Sequence, residues 1–337
     1  MPIRVTDIDW RPSADLQSLQ HRATLLQVTR RFFADREVLE VETPILSQSG
    51  STEVHLEHFV ASPAGHHLDL SDVPDKPAAH YFLNTSAELA MKRLLAAGTG
   101  DIYQISKVFR ANEQGARHQP EFTMLEWYRV GFDLNALMNE VALLLTELVG
   151  AQLSLPHVTY GYSEVFYNIV QLDPLQAPIE QLRHCFKHHS GYDAPDLDDR
   201  QAYLDLIMSY IIEPRFNPAQ LTFVTHYPAE QASLARLNAN NPDIAERFEA
   251  FAGGLELANG YHELSDVNEQ RQRMLKEKRI REQRKKPALE MDHRFLAALD
   301  HGLPDCSGVA VGFDRVCMLS LGRQRIDEVI SFSIENA

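Results

Sequence analysis

The sequence predicts an α+β fold, an antiparallel β-sheet flanked by helices. Three observations predict it. Segments with helical and strand-like periodicity follow one another without strict strand–helix–strand alternation. The stretch 102–129 holds two strand-like runs joined by a polar loop, the pattern of a hairpin. With 337 residues, 44% of them hydrophobic, the chain can bury a sizeable core. No internal repeat or low-complexity tract divides it, and large mixed α/β domains reach this length, so a single domain over 1–337 is expected.

The elements follow in order. Residues 16–38 read as an amphipathic helix, because Leu19, Ala23, Leu26 and Phe33 fall near helical spacing with Arg22, Arg30, Arg31 and Asp35 between them. Val38 to Pro44 is a short extended run closed by proline. Residues 61–80, with Pro63, Gly65, Pro74 and Pro77, read as a loop. A helix over 85–97 starts from a Thr85 or Ser86 cap. Ile102–Arg110 and Glu121–Arg129 are strands around a tip at 111–120, and 134–149 is an apolar-rich helix. Residues 160–250 read as mostly helical and weakly marked. Beyond them come a strand at 251–263, a charged helix at 266–286, a short strand at Val309–Val311 and a helix from Gly312 towards Leu321.

Bulk properties narrow the function. A net charge of −15 lowers the expectation that nucleic acid is the main partner, since backbone-binding proteins show a basic face. No apolar run approaches the roughly 20 residues that span a bilayer, so no membrane role is expected. Met1 to Asp15 carries acids and lacks the apolar stretch of a secretory signal. Cys185, Cys306 and Cys317 are an odd, sparse set, which argues against a disulfide framework and for a reducing cytoplasm.

Four segments carry candidate chemistry. Along 121–129, alternation puts Phe122, Met124, Glu126 and Tyr128 on one face. Alternation alone leaves two readings: a ligand floor, with Phe122 stacking on a flat ring and Glu126 and Tyr128 binding an amine, or a solvent-facing strand. Arg110, at the end of the first strand, can grip phosphate bidentately or be an ordinary surface arginine, and Arg117 and His118 share the ambiguity. Asn259, Tyr261 and Glu263 share a face. Glu256 has the opposite parity and joins them only if the chain bulges near Gly260. Glu249 and Glu256 can hold Mg²⁺, a hard cation that takes carboxylates and phosphate oxygens, or be surface acids. In Gly308 to Arg315, small alternating residues admit a ligand close to the backbone, and Arg315 lies in a first helical turn, which favours anions. No Ser/His/Asp or Cys/His nucleophile order is visible. His184, Cys185, His188 and His189 cluster without a second ligand pair, so an exposed helix is preferred to a metal site there.

Taken together, the segments resemble the three motifs of class II aminoacyl-tRNA synthetases. Glu42-Thr43-Pro44 is similar to motif 1, Phe109-Arg110 through Pro120-Glu121-Phe122 to motif 2, and Gly308 through Arg315 to motif 3. Arg117 through Glu126 and Asn259 through Leu264 are similar to lysyl-tRNA synthetases. Met124 through Arg129, Phe223 through Leu234 and Asp305 through Ala310 look like their free-standing paralogues, which join (R)-β-lysine to elongation factor P. The resemblance implies that ATP is bound by Arg110, Ala111, Asn112, Glu113, His118, Gln119, Phe122, Glu256, Leu257, Gly312 and Arg315. Arg110 would contact the α-phosphate, Phe122 the adenine and Arg315 the terminal phosphates. Mg²⁺ would lie on Glu249 and Glu256. Ser86, Ala87, Glu88, Glu126, Tyr128, Asn259, Tyr261, Glu263 and Ala310 would form the amino-acid pocket. It also implies a homodimer through motif 1. Motif 1 begins near residue 36, with no room before it for an anticodon-binding barrel, so elongation factor P rather than tRNA is the expected acceptor. A tRNA-charging enzyme and a non-catalytic regulatory paralogue are the alternatives. The chain departs from the pattern in three places. Asn112 stands where the family has Glu, unless Glu113 shifts to fill it. Tyr261 replaces a common Phe, and Ala310 replaces Gly. The basic stretch Arg271 to Lys286 is a solvated helix face or touches the protein partner.

Overall fold

The computed structural model describes residues 10–62, 80–197 and 199–337. The loop expected at 61–80 falls almost wholly outside them. In chain order the first half comprises α1 (Leu16–Ala34), β1 (Leu39–Glu40), β2 (Leu46–Ser47), β3 (Val60–Ala61), β4 (Tyr81–Leu83), α2 (Glu88–Ala96), β5 (Ile102–Phe109), β6 (Glu121–Val130) and α3 (Leu134–Val149). The second half comprises β7 (Leu155–Gly161), α4 (Tyr162–Val170), α5 (Ile179–Ser190), α6 (Arg200–Ile207), β8 (Gln220–Pro228), β9 (Leu237–Asn238), β10 (Asn241–Ala252), β11 (Leu255–His262), α7 (Val267–Gln283), α8 (His293–Gly302), β12 (Cys306–Gly312) and α9 (Phe313–Leu321).

The main sheet runs β1-β5-β6-β12-β11-β10-β8-β7, with β9 on β10. Its middle is antiparallel as expected, but β1 pairs parallel with β5 and β7 parallel with β8. A small sheet, β2-β4-β3, lies beside it. One face of the main sheet is the core. Leu125 and Trp127 of β6 and Val309 and Val311 of β12 pack there with Phe33 of α1, Leu144 of α3 and Val316 of α9. Each such fully buried large apolar side chain contributes about 1.5–3 kcal/mol. Trp127 also donates from Nε1 to Glu140 at 3.0 Å, which gives the indole N–H a partner inside the core.

Several expectations change. In α1 the inward stripe is Leu25, Phe32 and Phe33 with Ser18 and Thr29, not Leu19 and Ala23, and the helix ends at Ala34. Arg22 turns inward too, pairing with the buried Asp314 at 2.5 Å and donating to Thr123 at 2.7 Å. Ser86 caps α2 as expected: although Ala87 is the boundary residue, the Ser86 hydroxyl accepts from the Glu88 N–H at 3.0 Å. The stretch 160–250 is only helical as far as about residue 215; β8, β9 and most of β10 follow. The strand at 251–263 is the end of β10, a turn through Gly253 and Gly254 (both at positive φ), and β11. α8 had no prediction. One helical stretch, Leu134–Gln152, is long and apolar enough by length and composition to cross a membrane, contrary to the sequence reading. Half of it is buried, and its Glu140 lies in the ion pairs of the core, as befits a core helix.

Candidate active site

The other face of the sheet forms the floor of a cavity of about 610 Å³. β6 is buried on both faces, so its exposure pattern hides the alternation that its side chains obey. Leu125 and Trp127 point to the core; Phe122, Met124, Glu126 and Tyr128 line the cavity. The solvent-facing reading of this strand is therefore excluded. Register carries the site across the sheet. Glu126, Ala310, Asn259 and Glu249 stand opposite one another on β6, β12, β11 and β10. The next row is Tyr128, Gly308, Tyr261 and Arg247. A methyl group on Gly308 would sit 2.2 Å from the Tyr128 ring and 2.6 Å from Glu263 Oε1, so only glycine fits there.

The expected bulge exists, but at a different place. Phe251 pairs with Glu256 and Ala250 with Ala258, so Leu257 is the extra residue, not Gly260. This brings Glu256 onto the cavity face with Asn259, Tyr261 and Glu263. Gly260 is required for another reason: a Cβ there would meet Phe248 at 2.4 Å.

At one end of the cavity stand cationic groups. Arg110 lies over the Phe122 ring, 5.3 Å from its centroid, and its Nη1 is 3.3 Å from Glu113 Oε1. Glu113 lines the cavity, whereas Asn112 and Ala111 do not. Arg315 donates to the Glu256 carbonyl at 2.8 Å and meets His118 Nε2 at 2.5 Å. Burial, and then the Arg315 charge, hold the His118 imidazole below its usual range. Gln119, Leu257 and Gly312 also line this end, and Arg117 donates to the Gly254 carbonyl at 2.7 Å.

At the other end stand carboxylates. Glu126 accepts from the Ser86 hydroxyl at 2.5 Å and from the Ala87 N–H at 2.9 Å. Ala87 thus reaches the site through its backbone only, behind the lining. Burial pushes the Glu126 carboxyl up to about 7 against those two hydrogen bonds. Ser86, Glu88, Tyr128, Asn259, Tyr261, Glu263 and Ala310 line the same end. Asn259 donates to the Tyr261 hydroxyl at 3.0 Å, and burial pushes that phenol up to about 12.

Glu249 stands apart from the lining. Its Oε1 pairs with Arg247 at 2.5 Å and its Oε2 accepts from the Tyr227 hydroxyl at 2.6 Å. Burial pushes it up to about 7; Arg247 opposes the rise and the Glu256 charge adds to it. Glu213 is likewise raised to about 7 by burial and then by Glu256. This mutual repulsion of carboxylates beside the cationic end fits a divalent cation. Among the described residues no three His, Cys, Asp or Glu side chains form a metal site by themselves. A cation here would be completed by phosphate oxygens. His184, Cys185, His188 and His189 lie on α5, with Cys185 turned inward.

The solvated reading of the basic helix fails for three residues. Arg273, Arg281 and Lys286 donate to the carbonyls of Ser233 and Ala235, of Glu53 and Leu56, and of Val54. They tie down loops that wall the cavity. Sequence reading also missed Ser49, Gly50, Glu53, His58 and Asp292 in the wall, which come from irregular segments with no periodic signal. Cys185, Cys306 and Cys317 are unpaired and buried.

Comparison with known proteins agrees with this geometry. A family profile, "tRNA synthetases class II (D, K and N)", matches residues 3–336. A protein of Haemophilus influenzae (strain PittGG) named elongation factor P--(R)-beta-lysine ligase is 44% identical over 331 residues, 97% of this chain and 98% of its own. Proteins of the same name from Histophilus somni (strain 2336) and Edwardsiella ictaluri (strain 93-146) are 45% and 44% identical, each over 97% of this chain and 98% of their own.

Proposed function

The chain belongs to the class II tRNA synthetase family of the D, K and N type, and on that premise we propose that it is an ATP-dependent ligase that joins (R)-β-lysine to a lysine of elongation factor P. The observation that carries this reading is the single cavity with Arg110 and Arg315 at one end and Glu88, Glu126 and Glu263 at the other. A polyphosphate fits the first end and an ammonium-bearing substrate the second, which brings a carboxylate between them to the α-phosphorus.

The reaction has two steps. A β-lysine carboxylate oxygen attacks the α-phosphorus of ATP, the bond to the β-phosphate oxygen breaks, and pyrophosphate leaves. Arg110 lies beside the α-phosphate and Arg315 beside the leaving phosphates, where fixed cations stabilise the charge that develops. Phe122 stacks on adenine with the Arg110 guanidinium close to its ring. Glu256, on the cavity face, would hold Mg²⁺ with Glu249 behind it, and the ion would supply further neutralisation of phosphate charge. An uncharged ε-amine of elongation factor P then attacks the acyl carbon; an amide forms, AMP leaves, and the amine proton passes to solvent. No enzyme-bound covalent intermediate is required, because positioning two reactants supplies much of the acceleration.

A homodimer through the motif 1 region is supported by exposed apolar side chains clustered there: Leu39, Ile45, Leu46, Phe59 and Val60. Sedimentation at micromolar concentration tests it. A protein acceptor rather than tRNA is supported by the charge of −15 and by the names of relatives matched along nearly their whole length. A cytoplasmic location is supported by three unpaired, buried thiols.

The decisive experiment is ATP–pyrophosphate exchange with (R)-β-lysine and with α-lysine, followed by mass measurement of elongation factor P. Exchange with β-lysine and a mass gain of one lysyl unit on the factor are expected. If neither amino acid supports exchange, the ligase reading fails. Charging of tRNA at a rate matching modification of the factor would replace the acceptor.

A further inference from the structure

Behind the carboxylate end lies a cation that plays no part in the reaction described above. Lys92 of α2 is 1% exposed and is not part of the cavity lining. Its Nζ is 2.6 Å from Glu88 Oε1, one helical turn before it, and 2.5 Å from Glu263 Oε2 at the end of β11. Both carboxylates line the cavity. Their other oxygens are turned elsewhere: Glu263 Oε1 lies beside Gly308, and Glu88 Oε2 has no partner among the described residues. A buried lysine needs a counter-ion, and one carboxylate suffices for that. Lys92 has two, from two separate elements, and both belong to the same site.

We propose that Lys92 is a positioning residue: it clamps Glu88 and Glu263 from behind, offsets their charge, and so prepares their other oxygens to receive the ammonium of the substrate. The proposal rests on the ligase reading given above. Without a cation, two carboxylates that share a buried site cannot both stay ionised, and one takes up a proton. A protonated carboxyl no longer attracts an ammonium. The groups facing this pair come from several elements: Lys92 on α2, Glu53 from the segment before β3, Glu126 and Tyr128 on β6, Tyr261 on β11 and Cys306 on β12. Among them Lys92 is the one permanent cation. Burial pushes the Glu263 carboxyl upward and Lys92 opposes that push, while the two carboxylates raise the Lys92 ammonium well above its ordinary value.

The sign follows. Removing Lys92 raises the Glu263 carboxyl further, so ammonium binding weakens most at neutral pH and recovers as pH rises and Glu263 ionises. The experiment is exchange kinetics on Lys92→Met and Lys92→Arg, from about pH 6.5 to about pH 9. For Lys92→Met we expect KM for β-lysine about tenfold or more higher at neutral pH, recovering toward pH 9, with kcat and KM for ATP little changed. Lys92→Arg is expected to keep the wild-type pH profile. A KM that does not move in Lys92→Met, or a loss shared equally by kcat, both substrates and all pH values, assigns Lys92 to the fold alone and overturns the proposal. If Lys92→Met does not fold, Lys92→Arg decides: a low-pH loss of β-lysine binding in a folded protein that keeps the charge also overturns it. Wild-type protein inactive with β-lysine would instead fault the ligase reading.

Discussion

Gly308→Ala is the substitution whose consequence follows most directly from the structure. The new Cβ would lie 2.2 Å and 2.4 Å from two ring carbons of Tyr128 and 2.6 Å from Glu263 Oε1. Ordinary carbon contacts begin near 3.5 Å, so the ring must retreat by about 1 Å. Ala87, Met91, Ile102 and Cys306 share its buried cluster, so the ring can retreat only towards the cavity, into the space the substrate would use. Overpacking of this kind costs about 1–3 kcal/mol. Function suffers more than stability, since a 1 Å misplacement in a site can cost about 100-fold. Exchange kinetics and a thermal melt should therefore give a folded protein with a lowered Tm, a kcat/KM for β-lysine down by about 100-fold, and KM for ATP within about threefold of wild type. A variant with wild-type β-lysine kinetics would show that neither Tyr128 nor Glu263 touches the substrate.

Ala310 stands between Glu126 and Asn259 on the cavity face. One methyl discriminates by about 1–3 kcal/mol, so Ala310→Gly should relax the preference for β- over α-lysine about tenfold, and an unaltered ratio would remove Ala310 from the account of specificity. Arg315→Ala should lower exchange by about 100-fold or more, as for the loss of one fixed cation at a transition state; near-normal exchange would take the terminal phosphates away from Arg315. For Glu126, raised by burial from 4.5 to about 7, the folded protein binds a proton more tightly than the unfolded chain. Its contribution thus destabilises the free protein as pH climbs from about 4.5 through 7. Glu126→Gln should recover up to about 3 kcal/mol of that above pH 7, at 1.36 kcal/mol per unit, while abolishing β-lysine binding. Denaturant melts at pH 5 and 8 check the first, and equal losses of stability at both would contradict it.

Much of the site was legible because it follows local rules. The face shared by Phe122, Met124, Glu126 and Tyr128 is a consequence of period two. Elements whose character depends on distant partners were not legible. β8 is buried on both faces, and its run Leu221 to Val224 is as apolar as a buried helix segment. β10 carries Ala, Glu and Arg, which favour helices; its two antiparallel neighbours override that preference. The bulge at Leu257 was inferable in existence from the parity of Glu256, but its place depends on register with Phe251.

The sequence by itself determined the chemistry available: arginines beside a ring-stacking Phe122, a carboxylate face on β6, and the motif order of the family. Tertiary structure decided which of those groups meet. Glu263 faces Lys92 across a separation of 171 residues, and Glu249 stays behind the lining with Arg247 and Tyr227 while Glu256 reaches the cavity. Local periodicity fixes the face on which a side chain emerges, whereas strand register and burial fix what stands opposite it, and the second cannot be read from neighbours in the chain.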